Sequence, residues 1–128
     1  MTQFRIKEAA QLLGVSDDTV RRWVDSGRLT AIEGPGATRV AGTELARLAQ
    51  EIAQAPDVVT GRSSARNQLP GLVTKITSDT VMAQVEMQCG PYRVVSLMSA
   101  EAVRELELEP GSLAVASVKA TTVVVTVP

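Results

Sequence analysis

The chain has 128 residues, of which 45 % are hydrophobic and 21 % charged, a balance typical of a folded protein rather than a disordered one. Its formal net charge of −1 excludes a strongly basic protein that binds nucleic acid by bulk charge alone. With no histidine and one cysteine, Cys89, the chain lacks the commonest metal ligand and acid–base catalyst and has no internal disulfide.

No segment has the roughly 20 consecutive apolar residues that span a bilayer, and the N-terminus has no apolar core of a signal peptide. We therefore expect a cytoplasmic protein. Small domains often need partners to bury enough apolar surface, so we also expect a homo-oligomer.

Two short helices joined by a tight turn are predicted at the N-terminus. Apolar residues at helical spacing indicate a helix over Ile6–Leu13, and Gly14 follows where a helix ends in a left-handed residue. Ser16 is a candidate N-cap of a second helix, which Gly27 ends. Helices in this order form the pattern of a helix-turn-helix, whose second helix enters the major groove of DNA.

Positive charge on the second helix supports a nucleic-acid partner. Arg21 and Arg22 fall outside the apolar stripe of that helix. Residues 1–54 contain seven basic and seven acidic side chains, so this half binds DNA only if its cations cluster on one face. The alternative is that the two arginines are the solvated face of an amphipathic helix in a protein-binding module.

A hairpin and a third helix complete this half. Leu29–Glu33 and Thr38–Ala41 predict a hairpin wing, and a third helix is predicted from Thr43 to Gln54. Residues 4–52 resemble the winged helix-turn-helix of the MerR and excisionase-like group. The resemblance implies that the second helix, its exit and the wing contact DNA through Ser16, Thr19, Arg21, Arg22, Arg28, Thr38 and Arg39. The carboxylates Asp17 and Asp18 depart from this pattern in charge.

A linker is predicted at residues 55–62, which contain Pro56 and Gly61 and show no clear periodicity. From Gln68 onward the apolar residues alternate with a period of two. The predicted strands are Leu72–Thr77, Val81–Gln88, Tyr92–Met98, Leu113–Lys119 and Thr122–Val127.

One helix interrupts these strands. Ser99 is expected to cap it, and it runs from Ala100 to Leu108 with Val103 and Leu106 facing inward. Five short strands with one helix predict a partly open, OB-like β-barrel at residues 63–128. The expected fold class is therefore α+β in two domains, a winged helix-turn-helix followed by a five-stranded OB-like β-barrel with one helix.

The last predicted strand carries Val123, Val124 and Val125 in succession, so both of its faces are apolar. A barrel of this size does not bury both faces by itself. We expect a partner subunit to cover one of them.

The barrel is a better candidate for an inorganic anion than for an oligonucleotide. Bases need aromatic platforms, and Tyr92 is the one aromatic residue of this half. An anion needs backbone amides, hydroxyls and fixed cations, which occur at Ser64 and Arg66 and again at 119–121. The alternatives are that Arg66 is a surface charge and that Lys119 protects a strand edge.

The stretches SARNQLPGLVTKI and SVKATTVVV resemble the molybdate-binding Mop domain, or molbindin, of the TOBE group, over residues 63–128. The resemblance implies that molybdate or tungstate binds at subunit interfaces. The implied ligands are Ser64, the Ala65 backbone, Arg66, Lys119 and the Ala120 backbone, with Ser99 from the neighbouring chain and Arg104 as a looser match.

Together the two halves predict a molybdate- or tungstate-responsive transcriptional regulator that binds double-stranded DNA as a dimer or hexamer. It is expected to be no enzyme and to have no cofactor, because molybdate is a ligand here. One alternative is an intracellular molybdate storage or buffering oligomer whose helical half recruits protein. Another is an excisionase-like architectural protein that bends DNA without a ligand.

Overall fold

A computed structural model describes residues 2–59 and 61–128; Met1 and Thr60, the latter within the predicted linker, lie outside the described residues. The chain forms two compact units, Met1–Gln54 and Ala55–Pro128. Each unit has its own cluster of buried apolar side chains.

The N-terminal unit contains three helices and a small sheet. Its elements are β1 (Gln3–Arg5), α1 (Ile6–Leu13), α2 (Asp17–Asp25), β2 (Ala31–Ile32), β3 (Arg39–Ala41) and α3 (Gly42–Ile52). The strands form an antiparallel sheet in the order β1-β3-β2. The hairpin strands are shorter than predicted, and β1 was not predicted, because a three-residue strand depends on its pairing with β3 rather than on a sequence period.

Local signals define the two helices that follow β1. Gly14 ends α1 in the left-handed conformation, with a φ of 69°. Ser16 caps α2 by accepting a hydrogen bond from the backbone N–H of Thr19 at 3.2 Å. The apolar faces of the helices meet in a core of Ala9, Ala10, Val20, Leu29, Val40, Leu45 and Leu48. Trp23 packs against this core.

The C-terminal unit is a curled antiparallel sheet with one short helix. Its elements are β4 (Asn67–Ser78), β5 (Met82–Cys89), β6 (Tyr92–Ser99), α4 (Ala100–Glu105), β7 (Leu113–Val118) and a 3₁₀ turn at Ala120–Thr122. The strand order is β6-β5-β4-β7, so the 12-residue β4 pairs with both β5 and β7. A register shift between Val73 and Lys75 bends β4, which brings its two halves into different pairings.

The predicted fifth strand is wrong for the chain as described. After the 3₁₀ turn the C-terminal segment, residues 123–128, pairs with no strand in the described part of the chain. Val124 and Val125 are each 86 % exposed. An apolar run indicates that a segment needs a covered environment, but it does not say whether the same chain supplies the partner strand.

Without a fifth strand the sheet stays open between its two edges, β6 and β7. An apolar groove of about 530 Å³ lies along the inner face, and its walls include Val94 and Met98 from β6 and Ala114 and Ala116 from β7. The unit therefore carries an unpaired apolar segment and an uncovered apolar groove.

The helix α4 ends earlier than predicted. It stops at Glu105 rather than Leu108, and Leu106, expected to face inward, is 63 % exposed. Glu107 adopts a left-handed φ of 54°, and Leu108 packs against the core in place of Leu106. The spacing of apolar residues did not predict this change, because the left-handed Glu107 redirects the chain after the helix.

Close backbone approach at Gly71 yields a stability prediction. A β-carbon at this position lies 2.5 Å from the carbonyl oxygen of Gln88 and 2.6 Å from Sγ of Cys89. We expect Gly71→Ala to destabilise the C-terminal unit by about 1–3 kcal/mol, because the β4–β5 pair has to separate. The measurement is urea unfolding followed by far-UV circular dichroism.

The matched control is Gly61→Ala in the same unit, since a β-carbon there meets nothing within 4 Å. Fluorescence of Trp23, the single tryptophan, reports the N-terminal unit separately and should not change. A Gly71→Ala unfolding curve that coincides with that of Gly61→Ala would contradict the close packing at this point.

Candidate functional site

The first turns of α2 carry four of the residues proposed to contact DNA. The Ser16 and Thr19 hydroxyls lie 2.9 Å apart, and Nη2 of Arg22 donates to Oγ1 of Thr19 at 3.2 Å. Nη1 of Arg21 lies 3.2 Å from Oδ1 of Asp18, with both side chains exposed. Exposed ion pairs contribute little free energy, so a phosphate can replace Asp18 as the partner of Arg21.

The exit of α2 is fixed by side chains of α3. Nη2 of Arg47 donates to the carbonyl oxygen of Arg28 at 3.1 Å, and Oε1 of Glu44 accepts from the backbone N–H of Thr30 at 3.3 Å. The Arg47 guanidinium, helped by Thr30, lowers the pKa of Glu44, so this carboxylate stays charged in the folded unit. The Arg28 guanidinium lies 5.3 Å from the ring centroid of Trp23. No role was predicted for Arg47 from the sequence.

The hairpin brings the predicted residue Thr38 close to α2. Thr38 and Arg21 line one small pocket together with Ile6, Val24 and Asp25. Arg39 follows on β3 and is half-buried. The structure thus groups Arg21 with Thr38, although 16 residues separate them along the chain.

In the C-terminal unit, the β4–β7 ladder brings together the two stretches that were predicted to bind an oxyanion. The ladder begins with Asn67 paired to Val118, and Nδ2 of Asn67 donates to the carbonyl oxygen of Val118 at 3.1 Å. Arg66 precedes Asn67 and Lys119 follows Val118, so both cations stand at the same end of the sheet. Both side chains are exposed.

An open pocket of about 510 Å³ lies at the start of β4. It is lined by Val59, Gly61, Arg62, Ser63, Ala65, Arg66 and Gln68. Oγ of Ser63 accepts the backbone N–H of Ala65 at 3.0 Å, which orients this turn. Ser64 is exposed and is not part of the lining.

Arg62 is the one cation of this pocket that was not predicted as a ligand, because it fell within the predicted linker. Its position four residues before Arg66, with two serines between, is a signal that could have identified it.

Ser99 and Arg104 lie elsewhere in the same chain. Ser99 ends β6 opposite Met82 of β5, near the end of β4 that is remote from Asn67. Its Oγ accepts the backbone N–H of Ala102 at 3.0 Å, which leaves its own hydrogen available to an oxyanion. The structure does not bring Ser99 or Arg104 to Arg66 within one chain. Their contribution from a neighbouring chain stays a prediction.

The described residues contain neither a candidate metal site nor a candidate membrane span. Within residues 2–59 and 61–128, no three or more Cys, Asp or Glu side chains gather in a way that could hold a metal ion. No helix in these ranges is long and apolar enough to cross a membrane. Cys89 is buried, and its thiol donates to the carbonyl oxygen of Leu69 at 3.5 Å, which fits a structural role.

Comparison with known families assigns a domain type to each half. Residues 4–53 match the model of a helix-turn-helix domain, and residues 63–125 match the model of the TOBE domain. Both resemblances inferred from the sequence are thereby confirmed. Neither domain type is a catalytic family.

Relatives of the C-terminal half have names that refer to molybdenum. A probable molybdenum-pterin-binding protein of Haemophilus influenzae is 48 % identical over 63 residues, which cover 48 % of this chain and 91 % of that protein. The structure of a molybdate-binding protein from Sporomusa ovata is 35 % identical with a TM-score of 0.50, covering 52 % of this chain and 98 % of that one.

A third relative is known with its ligand. It is the cytoplasmic molybdate-binding protein ModG in a molybdate-bound form, which is 40 % identical with a TM-score of 0.51. The match covers 53 % of this chain and 49 % of ModG, so the chain spans about half of that protein.

Proposed function

Because the chain belongs to the TOBE family through a Mop-type C-terminal domain, which follows a helix-turn-helix domain, we propose that it is a molybdate- or tungstate-responsive, DNA-binding transcriptional regulator. In this proposal the protein is cytoplasmic, and molybdate is a ligand rather than a cofactor of an enzyme. The domain bounds that we propose are 1–54 for DNA binding, 55–62 for the linker and 63–128 for the oxyanion.

The main support for the proposed oxyanion site is the β4–β7 ladder. It brings Asn67 opposite Val118, so Arg66 and Lys119, each one residue beyond that pair, stand at the same end of the sheet next in sequence to Ala65 and Ala120. Molybdate is a tetrahedral dianion, and fixed cations with convergent N–H donors are the groups that bind such an ion. Ser64 completes the proposed ligands of one chain, and Ser99 and Arg104 are assigned to a second copy.

A second copy is also the partner that suits the unpaired C-terminal segment. Its valines are exposed, and the groove between β6 and β7 is apolar and uncovered. A segment of a second chain in this groove gains strand hydrogen bonds and buries apolar area on both molecules. In the proposal this exchange builds a dimer or a hexamer with oxyanion sites at its interfaces.

For DNA, the proposal places α2 in the major groove with Arg21 and Arg22 toward the duplex. Arg28 and the wing residues Thr38 and Arg39 meet backbone phosphates on either side. The ligand acts because it binds two subunit arrangements with different affinities, and the linker passes the favoured arrangement to the DNA-binding units.

A molybdate storage or buffering oligomer is the second candidate. The observation in its favour is that the C-terminal half alone covers 91 % of the Haemophilus relative and 98 % of the Sporomusa relative, without the helical half. In that case the helix-turn-helix domain recruits a protein, and DNA affinity is absent or independent of molybdate.

Calorimetry tests the oxyanion site. Arg66→Ala and Lys119→Ala should each weaken molybdate binding by about 10-fold or more, because each removes a charged hydrogen-bond donor from the anion. Lys75→Ala is the matched control, since Lys75 is also exposed but pairs across the ladder from Glu86. Equal, weak binding of molybdate, tungstate and sulfate would remove the basis for the site.

Sedimentation tests the subunit interface. Deletion of residues 123–128 should lower the oligomer to a smaller species, because the groove loses its partner segment. The control is Leu12→Lys, which changes an exposed apolar residue of the N-terminal unit and should leave the mass unchanged. A truncated protein that keeps its fold by circular dichroism and its wild-type mass would refute this role of the valines.

DNA binding tests the proposed function as a whole. A duplex is selected by the protein from a random pool, and its affinity is measured with and without molybdate. We expect a difference of about 5- to 150-fold, the usual range of coupling between two sites. Affinity that molybdate leaves unchanged would support an architectural DNA protein, and no DNA binding in either condition would support the storage oligomer.

Two variants separate the parts of this measurement. Arg22→Ala should weaken DNA binding and leave molybdate calorimetry unaltered. Arg66→Ala should leave molybdate-free DNA binding intact and abolish the effect of molybdate. If Arg22→Ala instead weakens molybdate binding alone, or Arg66→Ala weakens molybdate-free DNA binding alone, that residue has been assigned to the wrong function.

A further inference from the structure

The unpredicted strand β1 places two arginines directly opposite each other. β1 pairs with β3, and the cross-strand partner of Arg5 is Arg39. Partners of this kind project from the same face of a sheet. The adjacent pair, Phe4 and Val40, belongs to the core of the unit. Arg5 and Arg39 therefore occupy the face that points away from the core.

The two arginines of this pair are not matched with ion-pair partners among the described residues. No ion pair involving Arg5 or Arg39 occurs in the described part of the chain. Three carboxylates belong to the neighbourhood. Oε1 of Glu8 accepts the backbone N–H of Arg5 at 3.0 Å, the exposed Glu33 follows Ile32, the β2 partner of Arg39, and Asp25 lines the pocket beside the pair. Like charges that face each other across a sheet destabilise the strand pair.

The position of the pair relates it to α2. Ile6, which follows Arg5, and Thr38, which precedes Arg39, line the same pocket as Arg21. The two arginines are thus the chain neighbours of residues that share a pocket with Arg21 of α2. A bound anion would relieve the repulsion expected between two such cations.

We propose that Arg5 and Arg39 together bind one phosphate of the DNA backbone, beside the groove that α2 enters. A guanidinium group is planar, and its N–H donors match the spacing of phosphate oxygens. Two guanidinium groups that repel each other are both attracted to a phosphate bound between them. Arg5 thereby becomes a phosphate-binding residue. The inference rests on the proposed DNA-binding function and extends it to β1.

Salt-dependent binding to the selected duplex tests the proposal, in the molybdate condition in which the wild type binds more tightly. Arg5→Gln should lower the affinity and reduce the slope of log K against log salt by at most about 0.9, the full contribution of one phosphate contact, because Arg39 still faces the shared phosphate. Arg5→Lys keeps a cation and should keep the slope while it loses affinity. Gln3→Ala, on the same strand and face, is the matched control and should change neither quantity.

The stability of the free protein is a second readout, and Arg5→Gln is expected to raise it although the same substitution weakens DNA binding. If Arg5 and Arg39 repel each other in the absence of DNA, Arg5→Gln raises the urea midpoint of the N-terminal unit, followed through Trp23, while it weakens DNA binding. A residue that only supports the fold moves both quantities in the same direction. A lowered urea midpoint together with weaker DNA binding would thus assign Arg5 a structural role and overturn the proposal.

Failure of the inference and failure of the proposed function give different results. If the wild type binds the duplex and Arg5→Gln binds it with the same affinity and slope, only the phosphate site at β1 is wrong. If the wild type binds no duplex in any condition, both are wrong.

Discussion

The antiparallel ladder between β4 and β7 is the interaction on which the proposed sensor depends. It runs from Asn67 paired with Val118 to Leu72 paired with Leu113. A slip of one residue would turn every side chain of β7 to the other face, so the inward Ala114 and Ala116 hold the register through the core. The packing of the sheet therefore fixes the end of the ladder, from which Arg66 and Lys119 extend, and the predicted linker ends a few residues before Arg66.

The N-terminal unit meets a different constraint, because it has no surplus of positive charge to attract DNA. Its function requires that a few arginines be held on one surface. The side chains of α3 do part of this, since Arg47 binds the backbone at Arg28 and Glu44 binds it at Thr30. In our proposal the opposed pair Arg5 and Arg39 adds a repulsion to this unit that a bound phosphate relieves.

Local signals allowed most of both units to be predicted from the sequence. Gly14 and Ser16 mark the helix ends through backbone conformation and capping, and the period of two marks β5 through its alternating burial. What could not be predicted depends on partners distant in sequence. The strand β1 depends on its pairing with β3, and residues 123–128 pair with no strand in the part of the chain that the structure describes. Arg62 was missed for a different reason, because the turn before β4 has no sequence period and was predicted as a linker.

The central claim is that one molecule couples an oxyanion site to a DNA site, and the molybdate affinity of the DNA-bound protein tests it most directly. Coupling between two binding sites is reciprocal, so DNA must change the affinity for molybdate by the same factor by which molybdate changes the affinity for DNA. Calorimetric titration of molybdate into the free protein and into its complex with the selected duplex should give dissociation constants that differ by that factor. Identical constants in the two titrations would contradict the account, even if each ligand binds tightly on its own.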